Sequence, residues 1–310
     1  MSSFGLGRLT KNLCFCCLAL LLSVPHAADA AGPWRTARPI KAVVVGGSIS
    51  MYFGGNFGQY LQFGCKNLEV LNRGKVGAGG SALAAILKEG VIGDSATFAG
   101  MKSGNGWILF QGGLNSVGAP ESTAYFLAKL FKTAHDAGLQ VMALTLTPWG
   151  DGNDPRFAEW RGLRLMRATE HVAAFVMGKL SPKLALGARG DAHAETWQPG
   201  ELPKIGLDLL HSPLRDTDAE LRAKSALIQS FPQSQYRRQV DKRAELVAEA
   251  QTVPRSFLQA KYRDFDHTHP NSAGHRLIAA LACQQAPADW GCDCDAIRHA
   301  VWKGKVIPGK

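Results

Sequence analysis

Continuous apolar runs alternate along the chain with segments of helical spacing. KAVVVGG (41–47), LEVLN (68–72), WILFQ (107–111) and LQVMALTLT (139–147) are short and bounded by glycine or polar residues. Such runs read as strands buried on both faces. KIGLDLL (204–210) repeats the pattern more weakly. Between them, STAYFLAKLFKTAHDAG (122–138) carries apolar residues at helical spacing with Gly138 as its stop, and RFAEWRGLRLMRATEHVAAFVMGKL (156–180) does so up to Ser181-Pro182. Strands alternating with helices predict an α/β fold whose parallel sheet, of about five strands, is covered on both sides. The charged segment 216–252 lacks a strand pattern and is expected to be a helical insertion.

Open parallel sheets present their functional groups where strands end. In VVVGGSIS a buried strand runs through two glycines into Ser48, which delivers a hydroxyl to that edge. The G-x-S-x-G elbow is absent, because Ser50 stands where its last glycine belongs. Serine needs a base, and the base a group that fixes its tautomer. DFDHTHPNSAGH (264–275) offers Asp-x-x-His in two registers, Asp264 with His267 and Asp266 with His269. His269 precedes Pro270 and a helix capped by Asn271 or Ser272, so it sits at a loop edge facing the site; this favours Asp266 with His269. Oxyanion donors are expected from Asn115 in GGLN, after the third strand, and from a glycine amide in NRGKVGAGG, after the second.

Four blocks in order, VVVGGSIS, LNRGKVGAGGS, FQGGLNS and DFDHTHPNSAGH, resemble the SGNH hydrolase superfamily, the GDSL-type esterases and lipases. The resemblance implies a flavodoxin-like three-layer α/β sandwich and a serine esterase without cofactor. Carried over by residue, it makes Ser48 the nucleophile, His269 the base and Asp266 its orienting carboxylate. Gly77, Asn115 and the Ser48 amide become the oxyanion hole. Two positions depart from the family pattern: Gly47 and Ser116 stand where it has aspartates. DGND (151–154) imitates the third block after the fourth strand and reads as a turn without a role.

Rival chemistries use some of the same residues. Asp264, Asp266, His267, His269 and His275 are dense enough to ligate zinc, and a metal hydrolase built on His267 and His269 would not need Ser48. His135, His171, His193 and His211 show no matching carboxylate cluster, and His275 reads as a packed helix residue. Gly77-x-Gly79-x-x-Ala82 outlines a dinucleotide fingerprint, but NRGK separates it from its strand. A non-catalytic binding module on an SGNH scaffold is the third alternative. Trp149, Trp160 and Trp197 either line a substrate groove or pack on the sheet.

The first thirty residues place Arg8 and Lys11 before the apolar run LCFCCLALLLSV and the cleavage site Ala28-x-Ala30, which reads as a secretory signal. Residues 31–310 would then form one exported, secreted or periplasmic hydrolase domain. Cys65, Cys283, Cys292 and Cys294 remain in it and predict two disulfides, with Cys292 and Cys294 too close in sequence to pair with each other. The formal net charge of +10 draws an exported protein to acidic glycan or lipid surfaces. Its scattered basic residues do not form a nucleic-acid patch, and no partner protein is implied.

Overall fold

The computed structural model describes residues 39–102, 105–151, 154–157, 160–187, 202–219, 248, 252 and 254–301. The expected N-terminal signal, most of the expected helical insertion at 216–252 and Trp197 lie outside these residues. The described residues all belong to one compact unit.

Five strands form one parallel sheet: β1 (Ile40–Gly46), β2 (Leu68–Asn72), β3 (Gly106–Gln111), β4 (Gln140–Leu144) and β5 (Ile205–Leu207), in the order β2-β1-β3-β4-β5. This is the flavodoxin-like order, and β1 and β3 flank its switch point. Central β3 is buried at every position, whereas edge strand β5 keeps only three half-buried residues, which accounts for its weak signal. The expected fourth strand stops at Leu144, and Thr145 turns its hydroxyl to the backbone N–H groups of Leu209 and Leu210 beyond β5.

Helices cover both faces. α1 (Phe57–Gly64) lies between β1 and β2. α2 (Gly80–Leu87) and α3 (Ser95–Ala99) follow β2, α4 (Pro120–Asp136) follows β3, and α5 (Trp160–Val176) and α6 (Pro182–Leu186) follow β4. α7 (Ser272–Gln285) and α8 (Cys294–His299) end the described chain. Alternate residues of β3 enter two cores: Ile108 and Phe110 pack with Leu83, Leu127, Phe131 and Phe175, while Trp107 and Leu109 pack with Leu61, Ile278 and Trp290. Trp149 is 4 % exposed and packs edge-on against Phe157, so it is a core residue. Both expected disulfides form, as Cys65–Cys292 and Cys283–Cys294. The first joins the end of α1 to the segment before α8, and the second joins α7 to α8. No helix among the described residues is long and apolar enough to cross a membrane.

His275, on α7, is 0 % exposed and stacks on Tyr52 with ring centroids 4.8 Å apart. Neither imidazole nitrogen has a hydrogen-bond partner among the described residues, and burial, aided by His269, pushes its pKa down from 6.5 to about 3. Between those values the unfolded chain binds a proton that the folded one refuses, so stability falls as pH falls. From pH 7 to 5 this histidine is expected to remove about 2 kcal/mol of unfolding free energy. Urea unfolding of His275→Phe across that interval is expected to show a correspondingly flatter pH dependence.

Candidate active site

The site is assembled at the carboxyl edge of β1, at the sheet's switch point. Beyond β1 the chain enters a short 3-10 turn in which the Ser50 amide bonds to the Gly47 carbonyl, 3.1 Å away, and the buried Ser50 hydroxyl donates to the same oxygen at 2.7 Å. A Cβ on Gly46 would lie 2.4 Å from the Gln111 carbonyl oxygen, so the paired glycines let β1 pass close to β3 before the turn. Ser48 leaves this turn half-buried, and its Oγ lies 2.7 Å from His269 Nε2.

The other nitrogen of His269, Nδ1, is hydrogen-bonded to Asp266 Oδ2. Asp266 Oδ1 accepts the backbone N–H groups of Thr268 and His269 at 3.0 and 2.9 Å. Burial raises the pKa of this carboxyl, but those backbone donors and the imidazole outweigh it and hold Asp266 below the ordinary aspartate range. It is therefore a fixed anion at neutral pH. Nδ1 then keeps its proton, and Nε2 is left to accept one from Ser48. Asn271 caps α7, its side chain accepting the Gly274 amide at 3.0 Å, so His269 is held just ahead of a rigid helix start.

The rival register separates. The Asp264 carboxylate accepts the Phe265 amide at 2.8 Å, while His267 turns away to Asp151, its Nδ1 2.8 Å from Oδ2. His267 and His269 thus face different partners and do not converge on a common point. Among the described residues no group of three His, Cys, Asp or Glu side chains is arranged to hold a metal ion.

Asn115 stands exposed on a 3-10 turn beyond β3, its amide donating to the Ala78 carbonyl at 3.2 Å. A Cβ at Gly47 would come within 3.2 Å of the same amide nitrogen, so the aspartate missing here would press on Asn115. Ser116, at the other departure, accepts the Gly80 amide at 3.0 Å and ties the third block to the start of α2. Gly77 lies at the third position of a turn closed by the Ala78 amide on the Lys75 carbonyl, with φ of +75°. That conformation selects glycine. Gly77 is exposed at the same edge.

Sequence reasoning missed two clusters. The DGND turn has a role after all: Asp151, 6 % exposed, accepts from His267 and pairs with Arg263 at 3.1 Å. It thereby braces the loop that carries Asp266 and His269, including His267 in its left-handed conformation with φ of 60°. Asp154 pairs with Arg156, which also donates to the Thr268 hydroxyl at 2.9 Å. Burial raises the Asp154 pKa, but the bonds to Arg156 outweigh it and leave the carboxyl lowered. His211, expected to lack carboxylates, instead bonds Asp208 at 2.9 Å and Glu170 at 3.2 Å, clipping the end of β5 to α5.

No family model and no curated protein matches the sequence. The solved structures to which the chain is similar include a GDSL-like lipase from Bacteroides thetaiotaomicron, 15 % identical over 80 % of this chain and 90 % of that one, with a TM-score of 0.44. They also include an acetyl xylan esterase, 11 % identical over 80 % of this chain and 100 % of the other, at 0.45. A psychrotrophic esterase from Pseudoalteromonas is 10 % identical over 79 % of this chain and 95 % of its own, at 0.40. In its strand order, in the three blocks that follow β1, β2 and β3, and in the loop before α7 that brings His269 to Ser48, the chain resembles the SGNH hydrolase superfamily.

Proposed function

We propose that this protein is an exported serine esterase that cleaves carboxylic esters through an acyl-enzyme. One observation carries the reading: a serine hydroxyl at a sheet's switch point lies 2.7 Å from an imidazole whose other nitrogen is held by a carboxylate. His269 Nε2 takes the Ser48 proton as Oγ attacks the ester carbonyl. The tetrahedral oxyanion is held by the Ser48 and Gly77 amides and the Asn115 side chain. Collapse of the intermediate breaks the ester C–O bond, and His269 returns its proton to the leaving alcohol. Water, deprotonated by the same nitrogen, then attacks the acyl carbon, the bond to Ser48 Oγ breaks as the acid leaves, and His269 returns the proton to Oγ.

The substrates are lipid, short-chain or O-acetyl polysaccharide esters, and transfer of the acyl group to a sugar hydroxyl would share the first half of the reaction. Two disulfides in the domain fit an oxidising compartment, in keeping with export. The direct test is labelling with a fluorophosphonate followed by peptide mass spectrometry. One adduct per chain, on the peptide containing Ser48, is expected; labelling elsewhere, or none at a concentration that saturates other serine esterases, sinks the reading. Asn115→Ala is expected to lower kcat for a p-nitrophenyl ester by about 10²- to 10³-fold with little change in KM, because the donor acts on charge that develops only in the transition state.

A further inference from the structure

Large apolar side chains stand out into solvent around Ser48. Phe53 is 82 % exposed, Val76 65 % and Phe265 89 %. They sit on three different loops: Phe53 five residues after Ser48, Val76 immediately before Gly77, and Phe265 immediately before Asp266. The remaining exposed large apolar side chains among the described residues are Phe63, Leu184 and Val301, and none of them lies on a loop that carries Ser48, Gly77 or His269.

The three loops are cross-bonded into one rim. The Ser272 hydroxyl donates to the Gly54 carbonyl, and the Tyr52 hydroxyl meets Asp264, joining the Phe53 loop to the Phe265 loop. Asn72 Nδ2 donates to the Ser50 carbonyl at 2.6 Å, and the Lys75 amide donates to the Gly46 carbonyl at 2.9 Å, joining the Val76 loop to both ends of the Ser48 turn. Leaving such side chains in water is unfavourable unless something covers them, and large apolar side chains exposed together on loops bonded to one another suit an interaction surface.

We infer that this rim docks the enzyme on an anionic lipid surface, so that Ser48 meets esters presented at the lipid–water boundary. Phenylalanine and valine have no hydrogen-bonding group to offer a sugar, but they insert readily among acyl chains. The rim also carries cations: Lys75 beside Val76 and Lys261 near Phe265 are exposed, and neither makes an ion pair among the described residues. With a formal net charge of +10, a second copy of the chain is repelled, whereas anionic headgroups are attracted.

The inference rests on the serine-esterase reading for its purpose but not for its test. The form beginning at Ala31, which retains the whole sheet and both cores, is made as Ser48→Ala so that binding is read without turnover. Sedimentation with vesicles of phosphatidylcholine and phosphatidylglycerol is expected, with much weaker partitioning onto phosphatidylcholine alone. Adding Phe53→Ser and Phe265→Ser is expected to lower partitioning roughly a hundredfold while circular dichroism stays unchanged. The inference is overturned if no vesicle is bound, if neutral vesicles bind equally well, or if the serine variants bind as before. A dimer that the two substitutions dissolve, in protein that ignores vesicles, would assign the rim to a second copy instead. Fluorophosphonate labelling of the unsubstituted enzyme reports on the serine reading separately, so the two can fail independently.

Discussion

Replacing Ser48 with alanine is expected to lower kcat for p-nitrophenyl esters by about 10⁴- to 10⁶-fold, to the level that oxyanion donors and binding alone sustain. Only one atom, Oγ, is lost, and its partner is His269 Nε2. The turn that carries Ser48 is held by backbone bonds and by Ser50, so the fold is untouched. The same assay on wild type after treatment with a chelator is expected to show full activity. This pair of measurements separates the rival chemistries. Activity that survives Ser48→Ala and disappears with the chelator would place a metal at His267 and His269, although those imidazoles face Asp151 and Ser48 respectively. Inactivity of the wild type toward every ester tried would favour a binding module on the same scaffold.

The parts of this site that were legible in the sequence are those whose partners are local or fixed by a strand end. β1, β3 and β4 announce themselves because strands buried between helix layers need no polar alternation, whereas β2, expected to be buried on both faces, is an edge strand that buries only Leu68 and exposes Glu69. The Asp266–His269 register was legible because both residues fall in one tight loop, and the start of α7 decides which histidine faces outward. Asp151 was not legible. Its partner His267 lies 116 residues away, and nothing local to DGND distinguishes a buried brace from a solvated turn. The same holds for His211, whose partner Glu170 is 41 residues upstream on another element, and for the disulfides, where four cysteines allow three pairings and only the packing of α1 against α7 and α8 selects one. The rim of Phe53, Val76 and Phe265 was hidden for a different reason. Each is an ordinary apolar residue in its own segment, and only the converging loops make the three a surface.

Asp266→Asn is expected to cost about 10⁴ in kcat, an outcome that the hydrogen bonds around the carboxylate make specific. Oδ1 already accepts two backbone N–H groups, from Thr268 and His269, while Oδ2 faces His269 Nδ1. An asparagine placed here must keep its carbonyl oxygen on the two backbone donors, since the flipped amide would set its NH₂ against them. Its NH₂ then points at Nδ1, which must accept rather than donate, and the imidazole proton is driven to Nε2. Nε2 can no longer take the proton of Ser48. Because shape and backbone bonding are preserved, urea unfolding at neutral pH is expected to shift by no more than about 1 kcal/mol, so the loss is one of tautomer and not of fold. Asp264→Asn, in the register that the loop leaves unused, is expected to keep kcat within about tenfold of wild type, since its carboxylate bonds the Phe265 amide and the Tyr52 hydroxyl but neither histidine. If the two variants exchanged these outcomes, the base would be His267, and the 2.7 Å contact between Ser48 and His269 would have no catalytic meaning.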